Sequence, residues 1–157
     1  MRAICTALFW IALIGIAYTY IGYGLIITLL ARWRPRPVRR ADITPSVTML
    51  VAAYNEESCI AAKIENTLAL DYPPDRIEIV VVTDGSTDHT NEIVASYVDH
   101  GARLLYQPER RGKVGALIRA FPLTQGEVVV FSDANSYFAP NTLRKLVRAF
   151  ADPEVGG

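Results

Sequence analysis

The sequence has few of the residues that build disulfide frameworks or structural metal sites. Its 157 residues include two cysteines and two histidines, and Cys5 and Cys59 lie far apart along the chain. No CxxC pair and no Cys/His cluster occurs, so neither a disulfide framework nor a zinc site is supported. The length leaves room for one domain.

The glycine-rich loops of two large nucleotide-binding classes are also absent. A dinucleotide-binding enzyme shows G-x-G-x-x-G after its first strand, and a P-loop protein shows G-x-x-x-x-G-K-[ST]. Here the first predicted strand, residues 46–53, is followed by Tyr-Asn-Glu-Glu without a glycine, and no P-loop occurs. The sequence therefore argues against both of these ways of holding phosphates.

Acidic residues are absent from the first 40 residues, which contain six arginines. All 16 acids lie after this segment, against ten lysines and arginines, so the rest of the chain carries a formal net charge of −6. An acidic body behind a basic segment is a poor candidate for nucleic-acid binding. We therefore expect no nucleic-acid partner.

No charged side chain occurs from Ala3 to Ala31. As an α-helix this run is roughly 44 Å long, more than the ~30 Å hydrocarbon core of a bilayer. A cleaved signal peptide is the alternative, but its apolar region spans only about 7–15 residues and ends at a small-residue cleavage site. This run is longer and is followed by arginines and prolines. We therefore expect residues 1–33 to form a retained transmembrane anchor.

Residues 34–45 are predicted to be a basic, proline-containing linker. Pro35 and Pro37 exclude a regular helix, and the arginines either contact anionic headgroups or serve only as a topology signal. Five arginines follow the apolar run and one precedes it, so the positive-inside rule places the C-terminal part in the cytoplasm. The expected location is the cell (inner) membrane, with a single span.

From residue 46 onward, strand-like and helix-like segments alternate. Strands are expected at residues 46–53, 77–83, 103–106 and 127–132. Helices are expected at about 56–70, from the Ser-Thr-Asp segment at 86–88 to about 100, at 112–121, and from Pro140 onward. This alternation predicts an α/β fold of the nucleotide-binding kind, with a mostly parallel sheet and right-handed crossovers that place helices on both faces.

The segment Val128-Val-Val-Phe-Ser-Asp-Ala-Asn135 gives the clearest indication of a site. Its four apolar residues predict a strand buried on both faces. Asp133 ends that strand and Asn135 follows, at the edge of an α/β sheet where ligands bind. Their oxygens suit Mg²⁺ or Mn²⁺, although both residue types also favour ordinary turns. Glu56 and Asp84 follow two other predicted strands in the same way.

Four motifs in order resemble those of a known family. They are Val51-Ala-Ala-Tyr-Asn-Glu-Glu57, Val82-Thr-Asp-Gly-Ser-Thr-Asp88, Arg111-Gly-Lys-Val-Gly-Ala-Leu117 and Phe131-Ser-Asp-Ala-Asn135. Together they resemble family 2 glycosyltransferases with the GT-A fold, and more closely the membrane-bound synthases of cellulose, hyaluronan and poly-N-acetylglucosamine. The resemblance covers roughly residues 46–157. It implies a Rossmann-like GT-A sheet, here incomplete, in a membrane-anchored inverting transferase that moves sugar from a nucleotide-diphosphate sugar, expected to be a UDP-sugar, to a polysaccharide or lipid-linked acceptor.

The same resemblance implies roles for the donor-binding residues. Tyr54, Asn55 and Glu56 are expected to lie against the nucleotide. Asp84 is expected to bind the base or ribose side, and Lys113 is expected to meet the diphosphate.

Asp133 and Asn135 occupy the DxD motif of the family, which holds a divalent metal, Mg²⁺ or Mn²⁺, and the donor sugar. Asn135 replaces the second acid of that motif, so the metal is expected to depend more on Asp133 and the diphosphate. Thr83 stands where many members have the first Asp of a DDGS motif.

Two later motifs of the family do not occur in this sequence. They are the ED motif, which supplies the catalytic base, and the QxxRW motif, which binds acceptor and diphosphate. We therefore expect residues 46–157 to be the donor-binding half of the domain, with the base beyond residue 157 and no sugar turnover by this chain alone. Two alternatives remain: a non-catalytic nucleotide-sugar-binding membrane protein, and a nucleotidyltransferase, which usually has a glycine- and Arg/Lys-rich first loop that is absent here.

Overall fold

The computed structural model describes residues 2–156. They form two units, an N-terminal helical unit that extends to Val38 and a body that begins at Arg39. The first unit contains helix Arg2–Trp33, which is the one helix among residues 2–156 that is long and apolar enough to cross a membrane.

This long helix is not uniform. It consists of α1 (Arg2–Ala17), a π-helical turn (Tyr18–Gly22) and α2 (Tyr23–Trp33). A Cβ atom at Gly22 would lie 3.0 Å from the ring of Tyr18, so glycine leaves room for that ring. Hydropathy alone does not reveal such a turn, because it does not report the pattern of backbone hydrogen bonds that defines a π-helix.

The body is a four-stranded parallel sheet with helices between the strands. Its elements are β1 (Val47–Ala53), α3 (Ile60–Leu68), β2 (Ile77–Thr83), α4 (Thr90–Ser96), β3 (Ala102–Leu105), α5 (Lys113–Ala120), β4 (Val128–Asp133) and α6 (Thr142–Val147). The strand order is β3-β2-β1-β4, and every neighbouring pair is parallel. The predicted α/β class and its four strands are confirmed.

This strand order creates a crevice between β1 and β4. The chain runs outward from β1 to β2 and β3, then returns to the other side of β1 to form β4. Because parallel crossovers keep one hand, reversing the direction moves the connecting helix to the opposite face of the sheet. Ligands of open α/β sheets bind at this kind of reversal, outside the carboxyl ends of the strands.

The core has two layers, one on each face of the sheet. Val47, Met49 and Val51 alternate along β1 and belong to a buried cluster that also contains residues of α3, α4 and α6. Leu50 belongs to the opposite cluster, where Ala116 and Ala120 of α5 are also buried. Fully burying one aliphatic side chain the size of Val or Leu contributes about 1.5–3 kcal/mol, so β1 stabilises the core from both faces of the sheet.

β4 differs from its prediction. Among the described residues it pairs only with β1, and Phe131 is 55% exposed. The expectation of a strand buried on both faces was therefore wrong. Phe131 stacks on Phe121, with 6.2 Å between the ring centroids. A run of apolar residues predicts a strand, but it does not show whether that strand lies at the edge of the sheet.

Two helices begin later than predicted because side chains and turns occupy their first residues. In front of α3, the amides of Cys59 and Ile60 donate to the carbonyl of Glu56 at 3.0 and 2.9 Å, which closes a turn. In front of α4, the carboxylate of Asp88 accepts the amide of Thr90 at 3.0 Å. Asp88 therefore accepts the first amide of α4 from the position before the N-cap residue His89.

Part of the predicted linker is packed on the body. The amide of Arg39 donates to the Asp152 carboxylate at 3.0 Å, and the hydroxyl of Tyr72 donates to the carbonyl of Pro45 at 2.6 Å. Ile43 packs against the larger core cluster. The segment from Arg39 to Pro45 is therefore held on the body by Asp152, Tyr72 and the larger core cluster.

Candidate functional site

A cavity of about 300 Å³ lies at the carboxyl ends of β1, β2 and β4 and at the start of α5. This position is the crevice that the strand order creates. Six of the predicted site residues line it: Tyr54, Glu56, Asp84, Lys113, Asp133 and Asn135. Arg110 lines it too. The sheet thus brings together side chains that are up to 81 positions apart in the sequence.

Asp84 fixes the loop that leads into α5. Its side chain is nearly buried, and its two oxygens accept the amides of Arg111 and Gly112 at 2.8 and 2.6 Å. Gly85, with φ +71°, donates its amide to the carbonyl of Gln107 at 2.8 Å. A Cβ atom at Gly85 would lie 2.9 Å from the amide nitrogen of Arg110, so only glycine fits here. The observed contacts of Asp84 are therefore structural, and they shape one wall of the cavity.

Lys113 and Asp133 form an ion pair across the cavity. The Lys113 ammonium donates to Oδ1 of Asp133, and the two side chains are 58% and 53% exposed. Lys113 is the first residue of α5, and Asp133 is the last residue of β4. The pair therefore joins the two elements that lie on either side of the crevice.

The acidic side of the cavity suits a divalent cation whose remaining ligands come from elsewhere. No group of three or more His, Cys, Asp or Glu side chains with metal-binding proximity occurs within residues 2–156. Mg²⁺ is usually held by one or two carboxylates together with phosphate oxygens and water. Asp133 and Asn135 supply such a partial set, and the ammonium of Lys113 shows that Asp133 is placed to face a positive charge.

Tyr54 presents an aromatic face to the cavity. The guanidinium of Arg110 lies 3.8 Å from the centroid of the Tyr54 ring, a cation–π contact. Both side chains line the cavity. A flat ring beside a planar cation can stack a nucleobase and can attract a phosphate.

Asn55 connects two loops in this structure, and its predicted contact with the nucleotide stays a prediction. It has a positive φ of 52° and does not line the cavity. The side-chain oxygen of Asn55 accepts the backbone amide of Thr87 at 2.9 Å, and the backbone amide of Asn55 donates to Ser86 Oγ at 3.2 Å. Asn55 therefore ties the loop after β1 to the loop after β2.

Glu56 has both a structural contact and a place in the cavity. Its amide donates to Thr90 Oγ1 at 2.8 Å, and its carboxylate accepts the thiol of Cys59 at 3.1 Å. Burial, together with the neighbouring Glu56 carboxylate, raises the pKa of Cys59 to about 11. Cys59 is therefore a protonated donor at neutral pH, and it orients Glu56.

A second contact between the same two loops is charged. Oε2 of Glu57 lies 2.9 Å from Nδ1 of His89 and also accepts the amide of His89 at 3.0 Å. These hydrogen bonds from His89 lower the pKa of Glu57, and the hydrogen bond to Glu57 raises the pKa of His89. The charged forms of both groups are therefore favoured together.

Sequence reasoning missed Lys63 and Asn66, which lie in α3 beneath the segment that follows β4. Lys63 is completely buried, and Asn66 contacts the backbone of Phe138. Burial lowers the pKa of Lys63, while the charge of Asp133 opposes that shift. The spacing of Ile60, Lys63 and Thr67 along one helix face was the signal that could have located the lysine.

The comparisons with known proteins agree with this geometry. A sequence model of Glycosyl transferase family 2 matches residues 48–157. The chain belongs to glycosyltransferase family 2. Among curated relatives of this family 2 chain, a beta-monoglucosyldiacylglycerol synthase from Nostoc sp. is 34% identical over 142 residues, which cover 88% of this chain and 30% of the relative. The poly-beta-1,6-N-acetyl-D-glucosamine synthase of Staphylococcus aureus is 27% identical over 96% of this chain and 35% of its own length.

A solved structure confirms the fold of the family 2 domain. The mannosyltransferase PcManGT from Pyrobaculum calidifontis, in complex with GDP-Man and Mn²⁺, is 36% identical and superposes with a TM-score of 0.74. The match covers 91% of this chain and 44% of that protein. The predicted family and the predicted GT-A-type fold are therefore confirmed. The chain spans about a third of the length of the two curated relatives.

Proposed function

We propose that this chain is the donor-binding part of a membrane-anchored, inverting glycosyltransferase. It would take sugar from a nucleotide-diphosphate sugar and serve a lipid-linked or polysaccharide acceptor. The observation that carries the proposal is the cavity at the strand reversal, where an ammonium and a carboxylate face each other beside an aromatic ring. The names of the two curated relatives, one a glycolipid synthase and one a polysaccharide synthase, support both kinds of acceptor.

The lining residues favour one orientation of the donor, with its nucleobase and its diphosphate in different parts of the cavity. Tyr54 and Arg110 form the end that suits a nucleobase, next to the wall that Asp84 fixes. Lys113 lies at the start of α5 and pairs with Asp133, and a diphosphate bound there would meet its positive charge. Charge-assisted hydrogen bonds of this type are about twice as strong as neutral ones.

The metal would be held by Asp133 and Asn135 together with the diphosphate. Sugar transfer leaves negative charge on the departing diphosphate, and a divalent cation at this point would neutralise it. The solved mannosyltransferase contains Mn²⁺ with its GDP-Man, which supports a divalent metal without deciding between Mg²⁺ and Mn²⁺. The chain's own contribution is to place one carboxylate, one amide and one ammonium around the diphosphate.

The carboxylates that line the cavity all have other partners. Asp84 accepts two loop amides, Asp133 accepts the Lys113 ammonium, and Glu56 accepts a thiol. An inverting transfer needs a base within about 2.6–3.2 Å of the acceptor hydroxyl. We therefore propose that the base lies outside residues 2–156 and that these residues bind the donor without completing the reaction.

We also propose that helix Arg2–Trp33 anchors the protein in the cell membrane with the body in the cytoplasm. The helix has the necessary length and apolarity, and five arginines follow its uncharged run. A fusion after residue 157 to a reporter that is active only in the cytoplasm should be active. Activity of an exported reporter at the same position would contradict this orientation.

The donor-binding proposal is tested by calorimetry on the purified 157-residue chain in detergent. UDP and GDP, each with Mn²⁺ and with EDTA, are titrated into wild type, Asp133→Ala and Asp84→Ala. Asp133→Ala should abolish the gain in affinity that Mn²⁺ provides, because it removes the carboxylate of the metal site. Asp84→Ala should weaken the nucleotide even in EDTA, because the wall before α5 loses two hydrogen bonds.

Asp75→Ala is the matched control, because its carboxylate is exposed and does not line the cavity. It should bind like the wild type. Unchanged affinity in both site variants, or the absence of binding to either nucleotide by the wild type, would reject the site. The preferred nucleotide decides between the UDP-sugar expected from the sequence and the GDP-sugar of the solved mannosyltransferase.

A further inference from the structure

The segment from Asp133 to Phe138, called here the metal loop, is held from beneath by helix α3. We propose that Lys63 and Asn66 are positioning residues that fix this loop so that Asp133 and Asn135 can hold the metal. Neither residue lines the cavity, so neither is a ligand. This inference rests on the donor-binding function proposed above.

Lys63 carries the first part of the argument. It is completely buried, and its ammonium donates to the carbonyl of Ser136 at 2.6 Å and lies 4.3 Å from the centroid of the Phe138 ring. Burying an ammonium is costly unless it is paired, and lysine is among the residues least often found inside proteins. An apolar side chain would fill the same space without that cost. The contact with the loop backbone is therefore the feature that distinguishes lysine at this position.

Asn66 makes a second, independent contact with the same loop. Its side-chain amide nitrogen donates to the carbonyl of Phe138 at 3.0 Å, and its side-chain oxygen accepts the backbone amide of Phe138 at 2.8 Å. The side chain thus pairs with both backbone groups of one residue, as a neighbouring strand would. Lys63 and Asn66 are separated by three positions and share one face of α3, so a single helix supplies all three hydrogen bonds.

The consequence is that the metal loop is fixed at both ends. Asp133 still belongs to β4 and is the register partner of Ala52 in β1, while Ser136 and Phe138 are fixed to α3. Only two residues, Ala134 and Asn135, lie between these points. A short span held at both ends loses little conformational freedom when a ligand binds, so the ligand residues are organised in advance.

The test separates metal affinity from nucleotide affinity. The variants are Lys63→Met, which keeps the length of the side chain and removes the ammonium, and Asn66→Ala. UDP and GDP are titrated into each 157-residue variant with EDTA and with Mn²⁺. We expect affinity in EDTA to stay within about twofold of wild type, because Tyr54 and Asp84 are untouched, and the gain from Mn²⁺ to fall at least tenfold.

Thr67→Val is the matched control. Thr67 is buried on the same helix and donates its hydroxyl to the carbonyl of Lys63 at 2.9 Å, but it makes no hydrogen bond to the metal loop. It should leave the gain from Mn²⁺ at the wild-type level. Hydrogen exchange at the Phe138 amide, which Asn66 accepts, should be faster in both loop variants and unchanged in the control.

The results distinguish a failure of the positioning role of Lys63 and Asn66 from a failure of the proposed donor-binding function. A normal Mn²⁺ gain in Lys63→Met and Asn66→Ala, or an equal loss in Thr67→Val, would overturn the positioning role while leaving the donor site intact. A wild-type chain that binds neither nucleotide would overturn the proposed function, and the inference with it. Unchanged exchange at Phe138 in both loop variants would overturn the inference independently of any ligand.

Discussion

The ion pair between Lys113 and Asp133 predicts opposite effects on two ligands when the lysine is removed. In the structure the Lys113 ammonium contacts the Asp133 carboxylate, which we assign to the metal. In the donor complex, the same ammonium is expected to move to the diphosphate. Lys113→Gln removes the charge and keeps a polar side chain. It should therefore free Asp133 for the metal and weaken the binding of the diphosphate.

The magnitudes follow from the exposure of the pair. Both side chains are more than half exposed, and such ion pairs contribute about 0.2–1 kcal/mol. Releasing Asp133 should therefore tighten Mn²⁺ alone by up to about fivefold. Losing a hydrogen bond from a charged donor to the diphosphate costs about 1.5–3 kcal/mol, so UDP or GDP in EDTA should bind about 10- to 150-fold more weakly.

Calorimetry with Mn²⁺ alone and with each nucleotide in EDTA measures the two effects separately. Lys113→Arg is the matched variant, because it keeps the charge, and it should retain most of the nucleotide affinity. The exchange of partners is refuted if Lys113→Gln weakens Mn²⁺ and the nucleotide together, or if it leaves the nucleotide unchanged. In the first case the lysine supports the metal site, and in the second it does not reach the diphosphate.

Two further predictions concern the loops around the cavity. Because the pKa of His89 is raised in the folded chain, the protonated imidazole stabilises the fold fully below about pH 6.5, and this contribution is lost as pH rises through the raised pKa. Because the pKa of Glu57 is lowered, its carboxylate stabilises the fold fully above about pH 4.5, and this contribution is lost as pH falls through the lowered pKa. The thermal midpoint of His89→Gln should therefore fall furthest below wild type near pH 5.5 and least at pH 9, and a deficit that does not vary with pH would contradict this account. Gly85→Ala should lower stability by about 1 kcal/mol or more and weaken UDP or GDP in EDTA, because alanine is strained at φ +71° and its Cβ would press on Arg110; an unchanged melting curve would show that this turn adapts.

The strands could be predicted from the sequence because their signal is local. All four predicted strands match the observed ones to within one residue at each end, since runs of β-branched residues end at polar turns. The fold family followed from the order of four short motifs. By contrast, the exposure of Phe131 depends on which strands pair with β4, which among residues 2–156 is β1 alone, and a single run of residues does not contain that information.

The site was predicted where a residue acts at the end of its own strand. Asp84 and Asp133 were found in this way, and both line the cavity. The hydrogen-bond partners of Asp84 were not predicted, because the amides of Arg111 and Gly112 approach it only after the chain has passed through β3. Lys63 was missed for another reason: lysine on an amphipathic helix usually lies in solvent, and only the three-dimensional packing shows its burial.

The π-helical turn in the N-terminal helix has a consequence for how the proposed membrane anchor would pack in a bilayer. One additional residue in a helical turn advances every later side chain by about 100° around the axis, because a regular helix has 3.6 residues per turn. A stripe of side chains along α1 (16 residues) therefore does not continue along α2 (11 residues). At 1.5 Å per residue, the two parts are about 24 and 16 Å long, each shorter than the ~30 Å hydrocarbon core. In the membrane orientation proposed above, a straight neighbouring helix could follow one stripe along only part of this helix, so the proposed anchor would present two separate packing surfaces at two depths.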